Sequence, residues 1–329
     1  MSRPEVSVVM AVYDAARTLR RAVASVLQQA DVDFEFVIVN DGSTDASRAV
    51  LEDFAARDAR IRLLHQENQG LTRCLMRGCA EARGGLVVRQ DADDFSLPGR
   101  VKALVELARG DARLAFVSSW TYVIGPDSEL LSEERGAADP ERATYDLLHR
   151  RIGPRHGSVM FRRSAYEHVG GYRQEFPYAQ DRDLWLRLAE FGLLGYCQSF
   201  LYAYECGETS ISSRAHDAQQ RLGGIIDECR ARRLAGEDEA PALAQAAEVR
   251  RLPEAGGSGD PTRGAYLIAG YLRQRRDSRA VAYYARVLRR RPTRLDAWCW
   301  LVWSCLLCRR SRRRNVGRRG VAPVGAGER

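Results

Sequence analysis

Aspartates in three separate stretches of the chain are the main candidates for catalytic and ligand-binding residues. Asp91 and Asp93 lie in the run Asp-Ala-Asp-Asp, directly after an apolar stretch and before a helix pattern. Carboxylates two residues apart at a strand end can hold a hard divalent cation, and Mg²⁺ typically takes one or two carboxylates together with substrate phosphates. An acidic turn that only caps the next helix would have the same composition, so the motif alone leaves both interpretations open.

Two further aspartates lie far from this run along the chain. Asp41 occurs in Val-Asn-Asp-Gly-Ser-Thr-Asp after a second apolar stretch, where its carboxylate could accept a hydrogen bond from a base or a ribose. We assign the residues after it, Ser43, Thr44 and Asp45, to helix capping. Asp181 stands at a helix start after a loop with Gly and Pro, where it could deprotonate an incoming hydroxyl. Helix capping is the alternative for Asp181.

The elements that must position these residues alternate between strands and helices. Apolar, β-branched runs predict strands at 6–12, 34–39, 61–64, 86–89 and 114–124. Amphipathic runs between them predict helices, so the pattern favours a mostly parallel sheet with helices on both faces. In such sheets ligands bind beyond the carboxyl ends of the strands. Tyr13, Asp41 and Asp91 each follow such an end.

Composition divides the chain into four parts. Residues 1–215 form the main α/β domain, in which a short strand at 156–161 and a helix at 181–191 continue the pattern. Residues 216–262 are predicted as a helix followed by a linker rich in Gly, Glu, Ala and Pro from residue 236. A helical segment at 263–310 and a basic, disordered tail at 311–329 complete the chain.

Seven motifs occur in order along the first two thirds of the chain. They are Val-Ser-Val-Val-Met-Ala-Val-Tyr, Val-Asn-Asp-Gly-Ser-Thr-Asp, Asn68-Gln69-Gly70-Leu71-Thr72, Arg89-Gln90-Asp91-Ala92-Asp93-Asp94, His156-Gly157-Ser158, Gly170-Gly171-Tyr172 and Gln180-Asp181-Arg182-Asp183-Leu184-Trp185. This series resembles the family 2 glycosyltransferases over about residues 4–215. The resemblance implies the GT-A fold, a Rossmann-like mostly parallel sheet, here with a C-terminal helical extension. It also implies inverting transfer of a sugar from a nucleotide-sugar donor, by default a UDP-sugar, to an acceptor hydroxyl in cell-surface glycan or polysaccharide synthesis.

The resemblance also implies roles for ten residues. On the donor side they are Tyr13 beside the nucleobase, Asp41 on the base, Asp91 with Gln90 at the ribose, and Asp93 on Mg²⁺ or Mn²⁺. On the acceptor side they are Asp181 as the catalytic base, with His156, Gly157 and Trp185 bordering the acceptor. His216 follows a serine-rich stretch where some relatives carry a metal-binding histidine, although a solvated loop histidine is the alternative.

The basic charge is concentrated at the C-terminal end. From residue 252 onward there are 18 Arg and 5 acidic residues, so the net charge of +8 leaves the first 251 residues slightly acidic. The run at 295–308 is apolar nearly all round but shorter than the roughly 18 residues of a spanning helix. With the arginines at 309–319 it predicts either an interfacial helix on anionic lipid or a helical hairpin packed on the catalytic domain.

These features set the expected partners and the rival functions. The N-terminus lacks a signal-peptide pattern, so we expect the cytoplasm, with a peripheral position at the inner face of the cytoplasmic membrane as one option. A nucleotidyltransferase would need a Gly-rich, basic phosphate loop where this chain has Tyr13-Asp14-Ala15-Ala16. A degenerate, non-catalytic nucleotide-sugar-binding module is disfavoured because all the carboxylates are present. The expected partners are a nucleotide-sugar donor and a glycan or lipid-linked acceptor, and no nucleic acid.

Overall fold

The structure is a computed structural model that describes residues 3–150, 152–207, 215–251, 260 and 262–316, without the side chains of 250, 251 and 306–316. Contacts divide the chain into two compact units. The larger unit comprises Met1–Ile124, Glu133–Glu205 and Ala215–Gly256. The smaller unit comprises Gly125–Ser132, Cys206–Arg214 and Gly257–Arg329.

The strands follow the predicted apolar runs. In chain order, those of the described residues are β1 (Val6–Val12), β2 (Phe34–Asp41), β3 (Ile61–Gln66), β4 (Leu86–Asp91), β5 (Phe95–Ser96), β6 (Leu114–Ile124), β7 (Leu130–Glu134), β8 (Met160–Arg162) and β9 (Leu193–Glu205). The strands predicted at 6–12 and 114–124 have the same bounds in the structure. The strand predicted at 156–161 begins later, because 156–158 form a 3₁₀ turn before β8.

The sheet of the larger unit is mixed, with a long parallel part. Its strand order is β3-β2-β1-β4-β8-β6-β9-β5. Strands β3, β2, β1 and β4 pair in parallel, as do β6 and β9. Strand β8 is antiparallel to both of its neighbours, β4 and β6, and β5 is antiparallel to β9. The predicted sheet is therefore confirmed, with one antiparallel strand in its middle.

Helices cover both faces of this sheet. They are α1 (Ala16–Leu27), α2 (Ser47–Arg57), α3 (Leu71–Glu81), α4 (Arg100–Gly110), α5 (Pro140–Arg150), α6 (Arg163–His168), α7 (Gln180–Phe191), α8 (His216–Ala235) and α9 (Ala240–Arg251). Val8 of β1 belongs to an apolar cluster that includes Leu19 of α1, whereas Val9 faces the opposite cluster with Leu75 of α3. Alternate residues of a strand point to opposite faces, so each face has its own core.

Helix α9 lies in a stretch whose composition predicted a linker. Its Ala242 and Ala246 are fully buried, one helical turn apart, in a cluster with Leu222 and Ile226 of α8. Small side chains at positions i and i+4 let a polar helix approach its neighbour closely. The prediction of a linker from 236 to 262 is therefore wrong over these residues, and both α8 and α9 belong to the larger unit.

The described part of the smaller unit consists mainly of three helices. They are α10 (Arg263–Gln274), α11 (Ala280–Arg290) and α12 (Leu295–Val316). Ile268 and Val287 are fully buried, and the guanidinium of Arg273 lies 3.8 Å from the ring centroid of Trp300. Among the described residues, no helix has the length and apolar character needed to cross a membrane. Residues 317–329 of the predicted disordered tail lie outside the described residues.

Candidate active site

The carboxyl ends of the parallel strands bring distant aspartates to one edge of the sheet. Ala11 of β1 pairs with Val39 of β2 on one side and with Asp91 of β4 on the other. Adjacent strands are about 4.8 Å apart, so strands β2 and β4, which end in Asp41 and Asp91, lie about 10 Å apart at this edge. The spacing suits a ligand that extends across the end of β1.

The antiparallel strand β8 brings the histidine turn to the same edge. The backbone N–H of Arg89 donates to the carbonyl of Val159 at 2.8 Å, so the start of β8 lies beside the end of β4. A Cβ at Gly157 would lie 1.8 Å from the Tyr202 hydroxyl oxygen and 2.7 Å from Oδ2 of Asp91. This close approach therefore permits only glycine at position 157, which lies beside Asp91, and its contact with an acceptor stays a prediction.

Asp93 presents its carboxylate at this edge, where its own backbone N–H is the one hydrogen-bond donor to it among the described residues, while its backbone carbonyl accepts from Arg21 at 3.4 Å. The residue keeps solvent-accessible surface. Protein atoms nevertheless crowd the carboxyl group, and this desolvation, with the charges of Asp91 and Glu205, raises the pKa of Asp93 to about 7. A cation would relieve this like-charge repulsion.

The donor set around Asp93 fits a metal that is completed by its substrate. No three or more His, Cys, Asp or Glu side chains among the described residues are grouped so that they could hold a metal ion. Mg²⁺ and similar cations are commonly bound through one or two carboxylates together with substrate phosphates, so Asp93 with Asp91 nearby suffices chemically. His216 begins α8 and does not complete a three-ligand group with these residues.

Asp94 anchors the acidic turn to the neighbouring strand. Its Oδ2 accepts a hydrogen bond from the Tyr202 hydroxyl at 2.7 Å, and its Oδ1 accepts one from the backbone N–H of Glu205 at 2.8 Å. Burial and the charges of the two other aspartates raise the pKa of Asp94 well above its ordinary value. The turn therefore has one inward aspartate that fixes it and one outward aspartate, Asp93.

Gln90 supports this turn from inside and does not face the ligand edge. It is fully buried, and its amide nitrogen donates to the backbone carbonyls of Asp91 and Asp94 at 3.1 and 3.2 Å. Its amide oxygen accepts from Ser96 at 2.8 Å and from Arg100 at 3.0 Å. The assignment of Gln90 to donor binding is therefore corrected, because every hydrogen-bonding atom of its amide is used within the protein.

The Asp41 side chain is almost completely buried and forms hydrogen bonds within the protein. It is 2% exposed, and its carboxylate accepts from the side-chain amide of Gln66 at 2.6 Å and from the backbone N–H groups of Gln69 and Gly70 at 2.9 Å each. It thus fixes the loop after β3, and its contact with a base stays a prediction. Tyr13, beyond the end of β1, has 51% of its surface exposed and is free to stack on a ligand.

The loops after β1 and β2 cap each other. Oδ1 of Asp14 accepts from the backbone N–H of Thr44 at 2.7 Å, while Oδ2 of Asp45 accepts from the backbone N–H of Ala16 at 3.0 Å. The capping predicted for Asp45 is confirmed at two helix starts, since its Oδ1 also accepts from the backbone N–H of Ser47, the first residue of α2, at 2.8 Å. Asp14 does not cap α1, because its carboxylate is engaged by the neighbouring loop.

Of the two aspartates at the start of α7, Asp181 is the one that faces the site. Its Oδ1 accepts the backbone N–H of Arg182 at 2.8 Å, and its charge acts on His156. Asp183 is buried and forms ion pairs with Arg187 and Arg173. The N-cap residue of the helix is Ala179, at φ 55°, so Asp181 is not the N-cap, although it accepts one backbone N–H of the first turn.

Trp185 contributes packing beneath the site. Only 2% of its surface is exposed, and its ring stacks on Phe116 at a centroid distance of 5.7 Å. Its ring also meets that of His156 edge-on at 5.9 Å. Contrary to the prediction, Trp185 therefore does not border an acceptor directly. Its indole ring supports the imidazole of His156, so its effect on an acceptor is indirect.

Sequence reasoning missed the buried polar residues that hold the site together. They are Arg89, Arg100, Tyr202 and Glu205. Arg89 and Arg100 could have been noticed in the sequence, because arginines in or beside otherwise buried elements must have compensating partners. The partners of Arg100 include the carbonyls of Arg89 and Gly157, at 2.9 and 2.6 Å. Glu205 pairs with Arg17 and Arg21 of α1.

Comparison with known proteins agrees with this architecture. The profile described as glycosyl transferase family 2 matches residues 7–170. The putative glycosyltransferase EpsE of Bacillus subtilis is 32% identical over 211 residues, which are 61% of this chain and 73% of EpsE. A chondroitin synthase of Pasteurella multocida is 28% identical over 223 residues, which are 68% of this chain but only 23% of that protein.

Two solved structures share the fold. TarS of S. aureus, residues 1–349 in complex with UDP-GlcNAc, has a TM-score of 0.53 at 14% identity, over 85% of this chain and 83% of that one. The mannosyltransferase PcManGT from Pyrobaculum calidifontis, in complex with GDP-Man and Mn²⁺, has a TM-score of 0.52 at 17% identity, over 93% and 86%.

The sheet and its flanking helices have the GT-A type fold of these two structures. The chain belongs to glycosyl transferase family 2. This excludes the nucleotidyltransferase alternative, since the family transfers glycosyl groups.

Proposed function

We propose that this protein is an inverting glycosyltransferase that uses a nucleotide-diphosphate sugar, by default a UDP-sugar, and an acceptor hydroxyl of a growing glycan. The observation that carries the proposal is the convergence of Asp91, Asp93 and Asp181 on one edge of the sheet, where the charges of Asp91 and Asp181 both act on His156. Two stretches of chain about 90 residues apart supply these carboxylates, which a purely structural role for each would not require.

The donor would lie across the end of β1. Tyr13 would stack on the base and Asp91 would accept a ribose hydroxyl, while Asp41 fixes the loop after β3. Asp93 would hold Mg²⁺ or Mn²⁺ together with the diphosphate. A bound cation would neutralise the charge that grows on the leaving diphosphate. A metal role for His216 stays a prediction.

Asp181 is the proposed base. The acceptor oxygen forms a bond to the anomeric carbon as the bond from that carbon to the diphosphate oxygen breaks, and the proton of the acceptor hydroxyl passes to the Asp181 carboxylate. Attack from the face opposite the leaving group inverts the anomeric centre. His156 and Gly157 border the acceptor side through their position at the start of β8.

Similar proteins suggest the acceptor class. Chondroitin and hyaluronan synthases of Pasteurella multocida match 68% and 60% of this chain, although the chain spans about a fifth of their length. A polysaccharide or lipid-linked glycan is therefore the acceptor that we propose.

We also propose a peripheral contact of the smaller unit with an anionic membrane surface. Leu295, Trp298, Val302 and Trp303 are exposed at helical spacing on one side of α12, while Ala297 and Ser304 on its other side are buried. The arginines at 309–314 continue the same helix. Apolar anchors followed by clustered positive charge suit anionic headgroups. Trp298→Ala with Trp303→Ala should reduce cosedimentation with vesicles that contain phosphatidylglycerol, whereas equal binding by the double variant would contradict the contact.

The donor is tested by thermal shift of the full chain against UDP-, GDP- and dTDP-sugars, with and without Mn²⁺. The cognate donor should raise the melting temperature only with the metal, since a ligand that binds the native state stabilises it by mass action. Hydrolysis or transfer of that donor separates an enzyme from a non-catalytic binding module. Stabilisation without any turnover would favour the module, and no response to any nucleotide sugar would contradict the proposal.

A further inference from the structure

A fully buried arginine joins two residues of the proposed site. Arg89 has no exposed surface, and its Nη1 donates to the carbonyls of Val9 and Gln90 at 2.7 and 3.1 Å. Its Nη2 donates to Oδ1 of Asp91 at 2.5 Å, and its Nε donates to Nε2 of His156 at 3.3 Å. One guanidinium therefore fixes a carboxylate at the end of β4 and an imidazole at the start of β8.

These contacts determine which nitrogen of His156 carries the proton. Arg89 Nε–H has no lone pair and can only donate, so the Nε2 that faces it must be the bare, accepting nitrogen of the ring. The Tyr172 hydroxyl lies 2.8 Å from the same Nε2. A neutral imidazole with bare Nε2 has its proton on Nδ1. Burial and the charge of Arg89 also lower the pKa of His156 to about 4, in keeping with a neutral ring.

The remaining donor of His156 is available to a ligand. Among the described residues, none accepts a hydrogen bond from Nδ1 of His156, and that atom is not one of the buried polar atoms without a partner. The imidazole ring packs edge-on against Trp185, and the charges of both Asp91 and Asp181 act on it. The free N–H of His156 thus lies between the part of the site proposed for the nucleotide sugar and the part proposed for the acceptor hydroxyl.

We propose that His156 binds substrate as a permanently neutral hydrogen-bond donor, presenting Nδ1–H to a sugar hydroxyl oxygen beside the reacting centre, and that Arg89 is the positioning residue that fixes this tautomer and the Asp91 carboxylate. The inference rests on the proposed function for the identity of the ligand, a sugar. It assigns no proton transfer to His156, since a ring locked against Arg89 cannot accept a proton on Nε2 without placing two donors face to face.

The tautomer can be measured without any substrate. Long-range ¹H–¹⁵N spectra of the full chain resolve bare from protonated ring nitrogens, and the chain has only 5 histidines, so the signal lost in His156→Asn identifies the residue. We expect a bare Nε2 and a protonated Nδ1 at neutral pH. In Arg89→Met the pattern should become a mixture of tautomers. A protonated Nε2 in the wild-type chain, or an unchanged pattern in Arg89→Met, would overturn the role of Arg89.

The contact of His156 with substrate is tested with two amide side chains, Asn and Gln, which place a hydrogen-bond donor at the positions of different ring nitrogens. The amide nitrogen of Asn occupies the place of Nδ1, and that of Gln the place of Nε2. With the nucleotide sugar identified by thermal shift as substrate, kcat/KM of His156→Gln and His156→Phe should fall about tenfold, because each variant loses one hydrogen bond to the substrate. His156→Asn should recover most of this loss, while the melting temperatures of the Asn and Gln variants stay alike.

The two measurements separate the inference from the proposed function. Equal losses in His156→Asn and His156→Gln would refute Nδ1–H as the contact atom, whatever the donor is. Arg89→Lys keeps the charge but removes the fork that reaches Asp91 and His156 together, so it should raise KM for the donor and mix the tautomers. A Lys variant with wild-type KM and a single tautomer would show that Arg89 contributes only charge.

Discussion

The two ends of the same sheet each hold a carboxylate that protein atoms desolvate, and the surroundings shift its pKa in opposite directions. At the amino ends of β1 and β2, Glu35 accepts from Ser7 at 2.7 Å, from the backbone N–H of Arg83 at 2.6 Å and from Arg62 at 2.9 Å. Burial alone would raise the pKa of Glu35, but these hydrogen bonds and the charge of Arg62 together lower it. At the carboxyl ends, Asp93 has acidic neighbours and a raised pKa.

The difference distinguishes a carboxylate with a structural role, Glu35, from one for which we propose a functional role, Asp93. Glu35 has every partner that its negative charge requires, so it stabilises the fold by remaining ionised. Among the described residues, Asp93 has no side-chain hydrogen bond or ion pair. Its own backbone N–H and the charge of Arg17 offset only part of its desolvation, so an external cation would stabilise its charge. A raised carboxyl pKa at a ligand-binding edge is therefore a sign of function, whereas burial by itself is not.

Asp181→Asn should have the largest effect on turnover. Loss of a general base typically costs about 10²–10⁴-fold in rate, and we expect kcat to fall by that factor while donor binding and melting temperature change little. Glu35→Gln, at the opposite edge, is the matched control and should keep its turnover. Wild-type kcat in Asp181→Asn would remove Asp181 from its role.

Asp93→Ala should abolish the metal-dependent response to the donor. In the wild-type chain, donor at about 100 times its Kd with Mn²⁺ should stabilise the fold by about 2.7 kcal/mol, measured as a shift in melting temperature. The variant should show no difference between samples with and without Mn²⁺. An unchanged metal dependence would place the cation elsewhere and contradict the assignment of Asp93.

Glu35→Gln should cost stability at neutral pH. It leaves Ser7, Arg62 and the Arg83 N–H without their charged acceptor, so we expect a loss of about 1–3 kcal/mol in the free energy of unfolding. Because the pKa of Glu35 in the folded protein lies below its ordinary value of 4.5, its contribution to stability is present above pH 4.5 and is lost as the pH falls through the folded pKa. Denaturant titrations at pH 7 and pH 4 should therefore show a smaller difference at the lower pH.

Asp93→Asn should show the opposite sign, with a smaller effect. A carboxyl group whose folded pKa is raised from 3.8 to about 7 penalises the folded state progressively as the pH rises through this window. Without metal, the variant should melt slightly above the wild type at pH 8, and the difference should shrink at pH 5. If Asp93→Asn destabilised the protein at pH 8 as Glu35→Gln does, the contrast between the two edges would fail.

Much of the fold could be predicted because long apolar runs leave few alternatives. The runs at 6–12 and 114–124 are strands with the predicted bounds, since β-branched residues on both faces suit a buried strand. Helix α9 was missed because its buried face consists of alanines, which carry little hydrophobic signal. Its burial depends on α8, a neighbour that sequence periodicity does not identify.

By itself the sequence determined the acidic residues, their order and the family to which they belong. Only the tertiary structure decided which of them face a ligand. Gln90 and Asp91 are adjacent in the chain, yet one is wholly enclosed and the other lies at the edge, because successive strand residues point to opposite sides. The contact of Arg89 with His156 spans 67 positions and exists because an antiparallel strand places its beginning beside the end of β4. Such contacts depend on strand order and direction, which local residue patterns do not encode.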